Sequence, residues 1–326
     1  MKKWIVSLVI ILFVGFHSNQ VSAAYASYVV IDAENGRTLV GQNEHERLPI
    51  ASLTKIWTAL IVLERSELTD LVYVSSRAAS VEGSSIYLEQ GQTYTIDYLV
   101  HGLMMQSGND AATALAEHVG GSIEGFVYLM NEKAKLYQLT NTYFTNPTGL
   151  HDDKHLSSAY DTAKMLQIAM QNEEFQKVAS TKVFSQGMTW KNKHRLLHED
   201  VGAIAGKTGY TKVASRTLAT FFKREQKSFV VVTLNEGNDW NIHKELANYI
   251  DANFSNEVIV KKGIYKTNGL SVSVEEPIQM LLRKGEEPKL QHILLVSRHP
   301  ESKRAAWRVF EGERVVASKL VQIKAR

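Results

Sequence analysis

Residues 49–63 read PIASLTKIWTALIVL, and they decide the fold because the chain is apolar on nearly every face from Ile50 to Leu63. A helix that is apolar all round is a buried helix, so this one is expected at the centre of the protein. Ser52 and Lys55 interrupt the apolar run about one helical turn apart. The stretch therefore predicts a central helix that carries a hydroxyl and an amine on one face.

Strand patterns flank this helix along the chain. Runs of β-branched and apolar residues bounded by polar turns occur at residues 28–31, 38–40, 215–222 and 228–234. The first two are joined through Asn35-Gly36, a dipeptide that favours a β-hairpin turn. Residues 96–171 show mainly helical periodicity, and residues 240–254 predict a further amphipathic helix. The simplest construction is one antiparallel sheet built from both ends of residues 24–254, covered by helices, with the middle as a helical lobe.

The C-terminal segment, residues 255–326, has a different pattern of short alternating stretches separated by polar turns. This pattern predicts a small all-β domain. The expected fold class is therefore α+β: a sheet flanked by helices plus a helical lobe over residues 24–254, followed by a small β-rich domain. A cleft between the sheet and the lobe is where a functional site is expected.

Composition places the chain among ordinary globular proteins. Of its 326 residues, 44% are hydrophobic and 22% are charged, with 37 Lys and Arg against 34 Asp and Glu. A net charge of only +3 argues against nucleic acid as a partner. The sequence contains no cysteine, which excludes disulfides and thiolate chemistry.

The N-terminal segment is typical of an export signal. Two lysines precede an apolar run over residues 4–16, and residues 21–23, VSA, supply the small side chains of a cleavage site. We therefore expect residues 1–23 to be a signal peptide, the mature chain to begin at Ala24, and the protein to act outside the cytoplasm. A retained N-terminal anchor is the alternative, because short spans and signal peptides overlap in length.

Three short motifs carry the candidate chemistry, and the first is Ser52-Leu53-Thr54-Lys55. Burial lowers the pKa of a lysine, and a second cation nearby lowers it further. Lys55 is therefore a candidate general base for a nucleophilic Ser52. Alone, the motif is also compatible with a helix cap at Ser52 and an outward-pointing lysine.

The second motif is Ser107-Gly108-Asn109, at the start of a predicted helix. Its hydroxyl can pass protons, and its amide can hold a substrate carbonyl. Alone, it is equally compatible with a helix cap.

The third motif is Lys207-Thr208-Gly209, on a predicted edge strand. Lys207 and Gly209 are expected to face one side of the strand and Thr208 the other. Gly209 lets a substrate backbone lie close to the strand, Lys207 supplies positive potential, and Thr208 can bind a carboxylate. Alone, the motif also fits a glycine-containing turn that enters a strand.

The three motifs in this order, S-x-x-K, S-x-N and K-T-G, are the signature of the penicillin-recognising serine acyltransferases. The neighbouring residues strengthen the likeness: PIASLTK at 49–55, QSGNDA at 106–111, NPTGL at 146–150 and KTGYT at 207–211. Over residues 24–254 the sequence resembles the serine D-alanyl-D-alanine carboxypeptidases, the low-molecular-weight penicillin-binding proteins of the peptidase S11 family. The resemblance is weaker over residues 255–326.

The resemblance implies a β-lactamase/transpeptidase-like fold and a serine D,D-carboxypeptidase. Such an enzyme removes the terminal D-alanine from peptidoglycan stem pentapeptides through an acyl-enzyme, and β-lactams inhibit it covalently. It implies no metal and no cofactor. Membrane contact is left open, because the tail from Val315 to Arg326 alternates like a strand and has no large apolar face.

The resemblance also implies a role for each motif residue. Ser52 is the nucleophile, Lys55 its base, and Ser107 passes the proton toward the leaving amine. Asn109 orients the acyl chain of the substrate. Lys207 and Thr208, with Gly209 in the same strand, hold the terminal carboxylate end. The backbone N–H groups of Ser52 and Tyr210 form the oxyanion hole.

Other activities remain as alternatives. A class A β-lactamase needs a glutamate within E-x-x-L-N to activate the deacylating water, and no such run lies between Asn109 and Lys207. Endopeptidase or transpeptidase action on cross-links is left open. Two histidine pairs, His151/His155 and His194/His198, have zinc-compatible spacing but no H-E-x-x-H, so no metal site is predicted.

Two further features of the sequence are the residues that follow K-T-G and the basic run at residues 191–198. Relatives commonly have Ala-Gly shortly after K-T-G, whereas this chain has Ala214-Ser215, followed by Arg216. Arg216 could help to bind a carboxylate, but we expect it to be a solvent-facing strand residue. The basic run at residues 191–198 is expected to be a solvated surface.

Overall fold

A computed structural model describes residues 27–267, 269–286, 288–299 and 301–325. The predicted signal peptide, residues 1–23, and the predicted mature start at Ala24 lie outside the described residues. Within the described part of the chain, no helix combines the length and apolar character needed to cross a membrane.

Helices occupy mainly the middle of the chain. Their bounds are α1 (Thr54–Leu63), α2 (Ser76–Ser80), α3 (Ile96–His101), α4 (Asn109–Gly120), α5 (Ile123–Leu136), α6 (Ala159–Ala169), α7 (Glu173–Ser180) and α8 (Asp239–Asn253). A π-helical turn, Gly102–Gln106, joins α3 to the loop before α4. The helical middle and the late helix over residues 240–254 are confirmed.

Most strands lie toward the two ends of the described chain, and two short antiparallel pairs lie between them. Their bounds are β1 (Ser27–Asp32), β2 (Thr38–Gln42), β3 (Leu71–Tyr73), β4 (Thr93–Thr95), β5 (Val183–Gln186), β6 (Met188–Lys191), β7 (Ala203–Thr211), β8 (Ser215–Arg224), β9 (Lys227–Leu234), β10 (Phe254–Val260), β11 (Gly263–Thr267), β12 (Leu270–Val274), β13 (Ile278–Arg283), β14 (Leu290–Val296), β15 (Arg304–Glu311) and β16 (Arg314–Ala325).

The main sheet joins strands from both ends of residues 27–254, as predicted. Its strands run in the order β2-β1-β9-β8-β7, with β1 antiparallel to both β2 and β9. Strand β7 carries Lys207-Thr208-Gly209 and lies at an edge of this sheet, where it pairs only with β8 among the described strands. An edge strand leaves one side open to another extended chain.

Helix α1 lies at the centre, and every one of its residues is buried. One apolar cluster joins its side chains to the helical lobe and to one face of the sheet. On the opposite face, α8 packs through Ile242, Leu246 and Ile250 against Phe222 and Phe229. The sheet is therefore covered on both faces, and the all-round apolar pattern of residues 50–63 is explained.

The C-terminal strands form a second five-stranded sheet, in the order β11-β12-β16-β15-β14, and a two-stranded sheet of β10 and β13. They enclose an apolar cluster of their own, which includes Val272, Met280, Val309 and Val321. Strand β10 follows α8 directly. Together with the main sheet and its helices, these strands give the α+β fold expected from the sequence.

Charged groups connect the β1–β2 turn to the C-terminal strands. The Arg37 side chain contacts the carboxylates of Glu286 and Glu311 and donates to the backbone oxygen of Leu281 at 3.1 Å. Asp32, which is buried, accepts from the backbone N–H of Leu281 at 2.9 Å. We call this group of contacts the junction.

The expectation of a solvated basic surface at residues 191–198 is wrong in part. His194, Leu196 and Leu197 are buried, and His194 donates to or accepts from Thr220 Oγ1 at 3.0 Å. The run forms a short 3₁₀ turn that packs beneath α8 and β8, so its apolar and imidazole side chains point inward while Arg195 stays exposed.

Candidate active site

Ser52 lies in a 3₁₀ turn, Ala51–Leu53, that leads into α1. Ala51 has φ 49°, a left-handed conformation that side chains with a Cβ rarely adopt. The turn packs closely against Gly149, where a Cβ would come within 1.9 Å of the Ala51 carbonyl oxygen. Glycine in the NPTG turn predicted from sequence therefore allows that turn to lie directly against the backbone that presents Ser52.

Lys55 places its amine beside the Ser52 hydroxyl. Its Nζ lies 3.0 Å from Ser52 Oγ, 2.7 Å from Asn109 Oδ1 and 2.6 Å from the Thr148 carbonyl oxygen. The side chain is fully buried, and this burial lowers the pKa of Lys55 well below its usual value, with the charge of Lys207 lowering it further. A neutral amine would donate to the amide and the carbonyl and accept the Ser52 proton, which uses every available position.

Ser107, in the second motif, contacts Lys207 of the third motif. It follows the π-helical turn and has φ 66°, so it is a second left-handed residue at the site. Its Oγ accepts from Lys207 Nζ at 3.0 Å. Lys207 is buried, and desolvation, with a contribution from the charge of Lys193, lowers its pKa to about 7.

Asn109 is engaged on both sides of its amide. Its Oδ1 accepts from Lys55, and its Nδ2 donates to the Glu82 carbonyl oxygen at 2.7 Å. The side chain is buried behind the cleft. This arrangement fixes Lys55, and the amide nitrogen carries a second N–H besides the one donated to Glu82.

Strand β7 divides its side chains between two faces, as the alternation predicted. Lys207 faces Ser107, and a Cβ at Gly209 would lie 2.3 Å from Thr217 Oγ1 and 3.0 Å from the Ser52 nitrogen. Glycine at this position therefore lets the strand approach the Ser52 turn. Tyr210 is 67% exposed at the rim.

These segments line a cleft of about 420 Å³. Five predicted site residues border it: Ser52, Ser107, Thr208, Gly209 and Tyr210. Lys55, Asn109 and Lys207 are buried and are not part of the lining. The structure thus brings all three motifs together.

The cleft also has walls that the sequence reasoning did not assign to it: Ser84, Lys193, Arg216, Thr217, Asp239 and Trp240. Arg216 was expected to face solvent, but it lines the cleft and pairs with Asp239. These two residues are 23 positions apart on a strand and a helix, so no local pattern links them. Lys193 lies within the basic run at residues 191–198, and that run was the sequence feature from which a place for Lys193 near the site could have been predicted.

Ser215 stands where relatives commonly have glycine, and its φ is 56°. The tight turn between β7 and β8 therefore needs a left-handed residue, which glycine adopts without steric cost. Ala214, next to it, donates its N–H to Thr211 Oγ1 at 2.9 Å, which closes the turn.

The histidines of the two pairs for which no metal site was predicted, His151/His155 and His194/His198, each contact a polar group of the protein. His155 Nε2 lies 2.8 Å from Thr54 Oγ1, and burial lowers the pKa of His155 to about 4. His155 also accepts from the Thr145 N–H at 3.1 Å, so it ties the NPTG turn to α1.

Comparison with known proteins agrees with this geometry. The chain matches the peptidase S11 family, described as D-alanyl-D-alanine carboxypeptidase, over residues 15–238. It is 34% identical to the D-alanyl-D-alanine carboxypeptidase DacF of Bacillus subtilis over 298 residues, which are 84% of this chain and 76% of that protein. DacD of Escherichia coli is 29% identical over 81% of this chain and 75% of its own length.

Solved structures of penicillin-binding proteins share the fold of this chain. Penicillin-binding protein 6B of Escherichia coli superposes with a TM-score of 0.71 at 26% identity, over 91% of this chain and 94% of the other. The family match covers more than half of the chain, and its S-x-x-K, S-x-N and K-T-G residues meet at one cleft. The chain belongs to the peptidase S11 family of D-alanyl-D-alanine carboxypeptidases.

Proposed function

We propose that Ser52, Lys55 and Ser107 are the catalytic groups of this serine D,D-carboxypeptidase, acting on the D-alanyl-D-alanine end of peptidoglycan stem pentapeptides. The observation that carries the proposal is the Lys55 amine, which is fully buried 3.0 Å from the Ser52 hydroxyl. All its hydrogen-bond partners are uncharged. Such an environment favours the neutral amine that a general base requires.

In the acylation step, Lys55 takes the Ser52 proton as Oγ attacks the carbonyl carbon of the penultimate D-alanine. The backbone N–H groups of Ser52 and Tyr210 stabilise the oxyanion, and each donor of this kind is worth roughly 3–4 kcal/mol. The proton held by Lys55 passes through Ser107 to the leaving nitrogen as the C–N bond breaks, so D-alanine departs and the Lys55 amine is neutral again. Water then hydrolyses the ester on Ser52 and restores the hydroxyl.

Substrate binding falls to the edge strand and the second motif. Gly209 gives the extended peptide room beside Ser52, and Thr208 binds its terminal carboxylate. Lys207 supplies positive potential and orients Ser107, because its own amine is buried against that hydroxyl. Asn109 holds Lys55 through its Oδ1 and orients the acyl chain through its second amide N–H.

Two further expectations belong to the same proposal. Residues 1–23 direct export and residues 24–254 form the catalytic domain, in keeping with a family that acts on the cell wall outside the cytoplasm. Residues 255–326 form a separate small domain, which their own apolar cluster supports.

The test uses two assays on the purified protein. A fluorescent penicillin should form a stable adduct that peptide mass mapping locates to Ser52, and diacetyl-L-lysyl-D-alanyl-D-alanine should release free D-alanine. Ser52→Ala should lose both, whereas Ser80→Ala, an exposed serine on α2, should keep both. Rapid penicillin hydrolysis without D-alanine release would instead indicate a β-lactamase. Transfer of the acyl group to an added amine in preference to water would indicate a transpeptidase.

A further inference from the structure

The loop of residues 82–88 connects the cleft wall to the second motif. It contributes Ser84 to the lining of the cleft. The Glu82 carbonyl oxygen accepts from Asn109 Nδ2 at 2.7 Å, and the Ser84 carbonyl oxygen accepts from the Asn109 backbone N–H at 2.7 Å. Asn109 Oδ1 in turn accepts from Lys55 Nζ. The loop therefore reaches the Lys55 amine through one intervening side chain.

Asp110, the residue after the second motif, binds the same loop with both of its carboxylate oxygens. Its Oδ2 accepts from Ser85 Oγ at 2.6 Å, from the Ile86 N–H at 3.0 Å and from the Leu88 N–H at 3.1 Å. Its Oδ1 accepts from the Ile86 N–H at 3.1 Å and from the Ala111 N–H at 2.9 Å. These bonds fix a stretch of backbone that belongs to no helix or strand.

The loop is held in a conformation that it would not adopt without support. Tyr87 has φ 62°, a left-handed conformation that is costly for a residue with a Cβ and persists where the surroundings impose it. Ile86 is buried and packs so closely against Gly102 that a Cβ there would lie 2.5 Å from Ile86 Cδ1. Asp110 is only 1% exposed, and its donors are backbone N–H groups and one hydroxyl. A buried carboxylate needs such donors, so Asp110 and the loop depend on each other.

We propose that Asp110 is a positioning residue for acylation: it fixes the loop of residues 82–88 and thereby keeps Asn109, and through it the Lys55 amine, in place beside Ser52. The demand on position is strict, because a displacement of about 1 Å caused by a distant change can lower a rate by about 10²-fold. The inference rests on the proposed function, since it assumes that Lys55 activates Ser52.

Two other roles for Asp110 make different predictions. In the first, its charge acts on Lys55 directly: burial and the charge of Lys207 lower the pKa of Lys55, and the charge of Asp110 opposes them. Removing the charge would then extend activity to lower pH and leave the maximum rate unchanged. In the second, Asp110 only stabilises the fold. Its loss would then lower the melting temperature and leave the rate per folded molecule unchanged.

The experiment measures the rate constant of acylation by a fluorescent penicillin across the pH range, well below the melting temperature of each variant. Asp110→Asn keeps the shape of the side chain but turns an amide N–H₂ toward the loop donors. We expect its maximum rate constant to fall about 10- to 100-fold, while all of the folded protein still becomes labelled at long times. Ser85→Ala removes one donor to the carboxylate and should lower the rate constant about threefold.

The matched control is Asp32→Asn, at the junction. Asp32 is also a buried carboxylate, and it accepts from the backbone N–H groups of Glu34 and Leu281, each at 2.9 Å. Its substitution should lower the melting temperature measured by circular dichroism, and the acylation rate constant of the folded protein should stay within about twofold of wild type.

A double-mutant cycle tests the path through Asn109. If Asp110 acts by placing Asn109, then Asp110→Asn should lower the rate constant by less than about twofold further in an Asn109→Ala background. If Asp110→Asn does not fold, the same cycle is measured with Ser85→Ala.

Three results would overturn the role of Asp110 and leave the Ser52 chemistry intact. They are an unchanged maximum rate with a shifted pH profile, a wild-type rate in folded Asp110→Asn, and a full loss that persists in the Asn109→Ala background. Failure of the proposed function would appear separately and in the wild-type protein, as a penicillin adduct on a residue other than Ser52 or as no release of D-alanine.

Discussion

Two basic side chains, the buried Lys55 and the mostly buried Arg37, have opposite surroundings. In the cleft, Lys55 contacts a hydroxyl, an amide and a carbonyl oxygen. At the junction, Arg37 is 12% exposed and contacts the carboxylates of Glu286 and Glu311. Within the described part of the chain, a carboxylate contacts Arg37 but none contacts Lys55.

The difference follows from what each side chain can do with its proton. Burying a charge without a partner is costly, and a lysine avoids the cost by giving up its proton. Arginine keeps its proton at any ordinary pH, so it needs carboxylates instead. The cleft thus obtains a reactive amine, and the junction obtains a permanent contact between the β1–β2 turn and the C-terminal strands.

The largest effect is expected for Lys55→Arg. The guanidinium cannot serve as a base, so kcat/KM for D-alanine release should fall by about 10³-fold or more, within the range known for loss of a general base and nucleophile activation. The rate of penicillin acylation should fall by a similar factor. Stopped-flow acylation and a coupled D-alanine assay measure the two.

Lys55→Met is the companion variant, because it fills a similar volume without charge. It should also be inactive but should retain more stability than Lys55→Arg, which buries a charge among uncharged groups. Undiminished hydrolysis in either variant would contradict the role of Lys55 and remove the contrast with Arg37.

The second effect concerns stability alone. Arg37→Ala leaves Glu286 and Glu311 without their cation, and because these carboxylates are partly exposed the free energy of unfolding should fall by about 1–3 kcal/mol. Arg37→Lys should lose less, since it keeps the charge but not the planar fork. Urea unfolding gives the free energy, and kcat/KM at a temperature where the variants are folded should stay within about twofold of wild type. A large loss of activity in folded Arg37→Ala would show that the junction and the cleft are coupled.

The Lys55 half of this contrast was accessible from the sequence. The apolar residues around Lys55 predicted its burial, and the K-T-G motif supplied the second cation, Lys207, that lowers its pKa. Short-range patterns were sufficient here because the motifs, the helix and the strand can each be recognised from a few consecutive residues.

The remaining features depend on long-range packing. The Arg216–Asp239 pair and the junction join residues whose spacing follows from the complete fold. The basic run at 191–198 was misjudged because its composition does not show which side chains point inward, and His194 is buried. Likewise, the left-handed backbone at Ser215 was visible in sequence only as a departure from the family's glycine.

The smallest effect is a change in the shape of the pH profile. The kcat/KM of the free enzyme should rise from low pH as Lys55, whose pKa is lowered, loses its proton. It should fall again, by roughly tenfold, above the pKa of Lys207, which is about 7, because the uncharged amine no longer supplies positive potential to the carboxylate end of the cleft. In Lys207→Arg, the cation does not titrate, so the fall at high pH should disappear even if the maximum rate is lower.

The pH dependence of the unfolding free energy tests the titration of Lys207 independently of activity. The folded pKa of Lys207, about 7, is below the unfolded value, so the unfolded chain binds more protons between these two values and this group's contribution to the unfolding free energy rises with pH across that range. The penalty for the buried charge is complete below about pH 7. Lys207→Met should therefore be more stable than wild type at pH 6, and the difference should shrink steadily toward pH 10. A constant difference would mean that Lys207 keeps its proton, as Arg37 does, and that the two cations are not distinguished by titration.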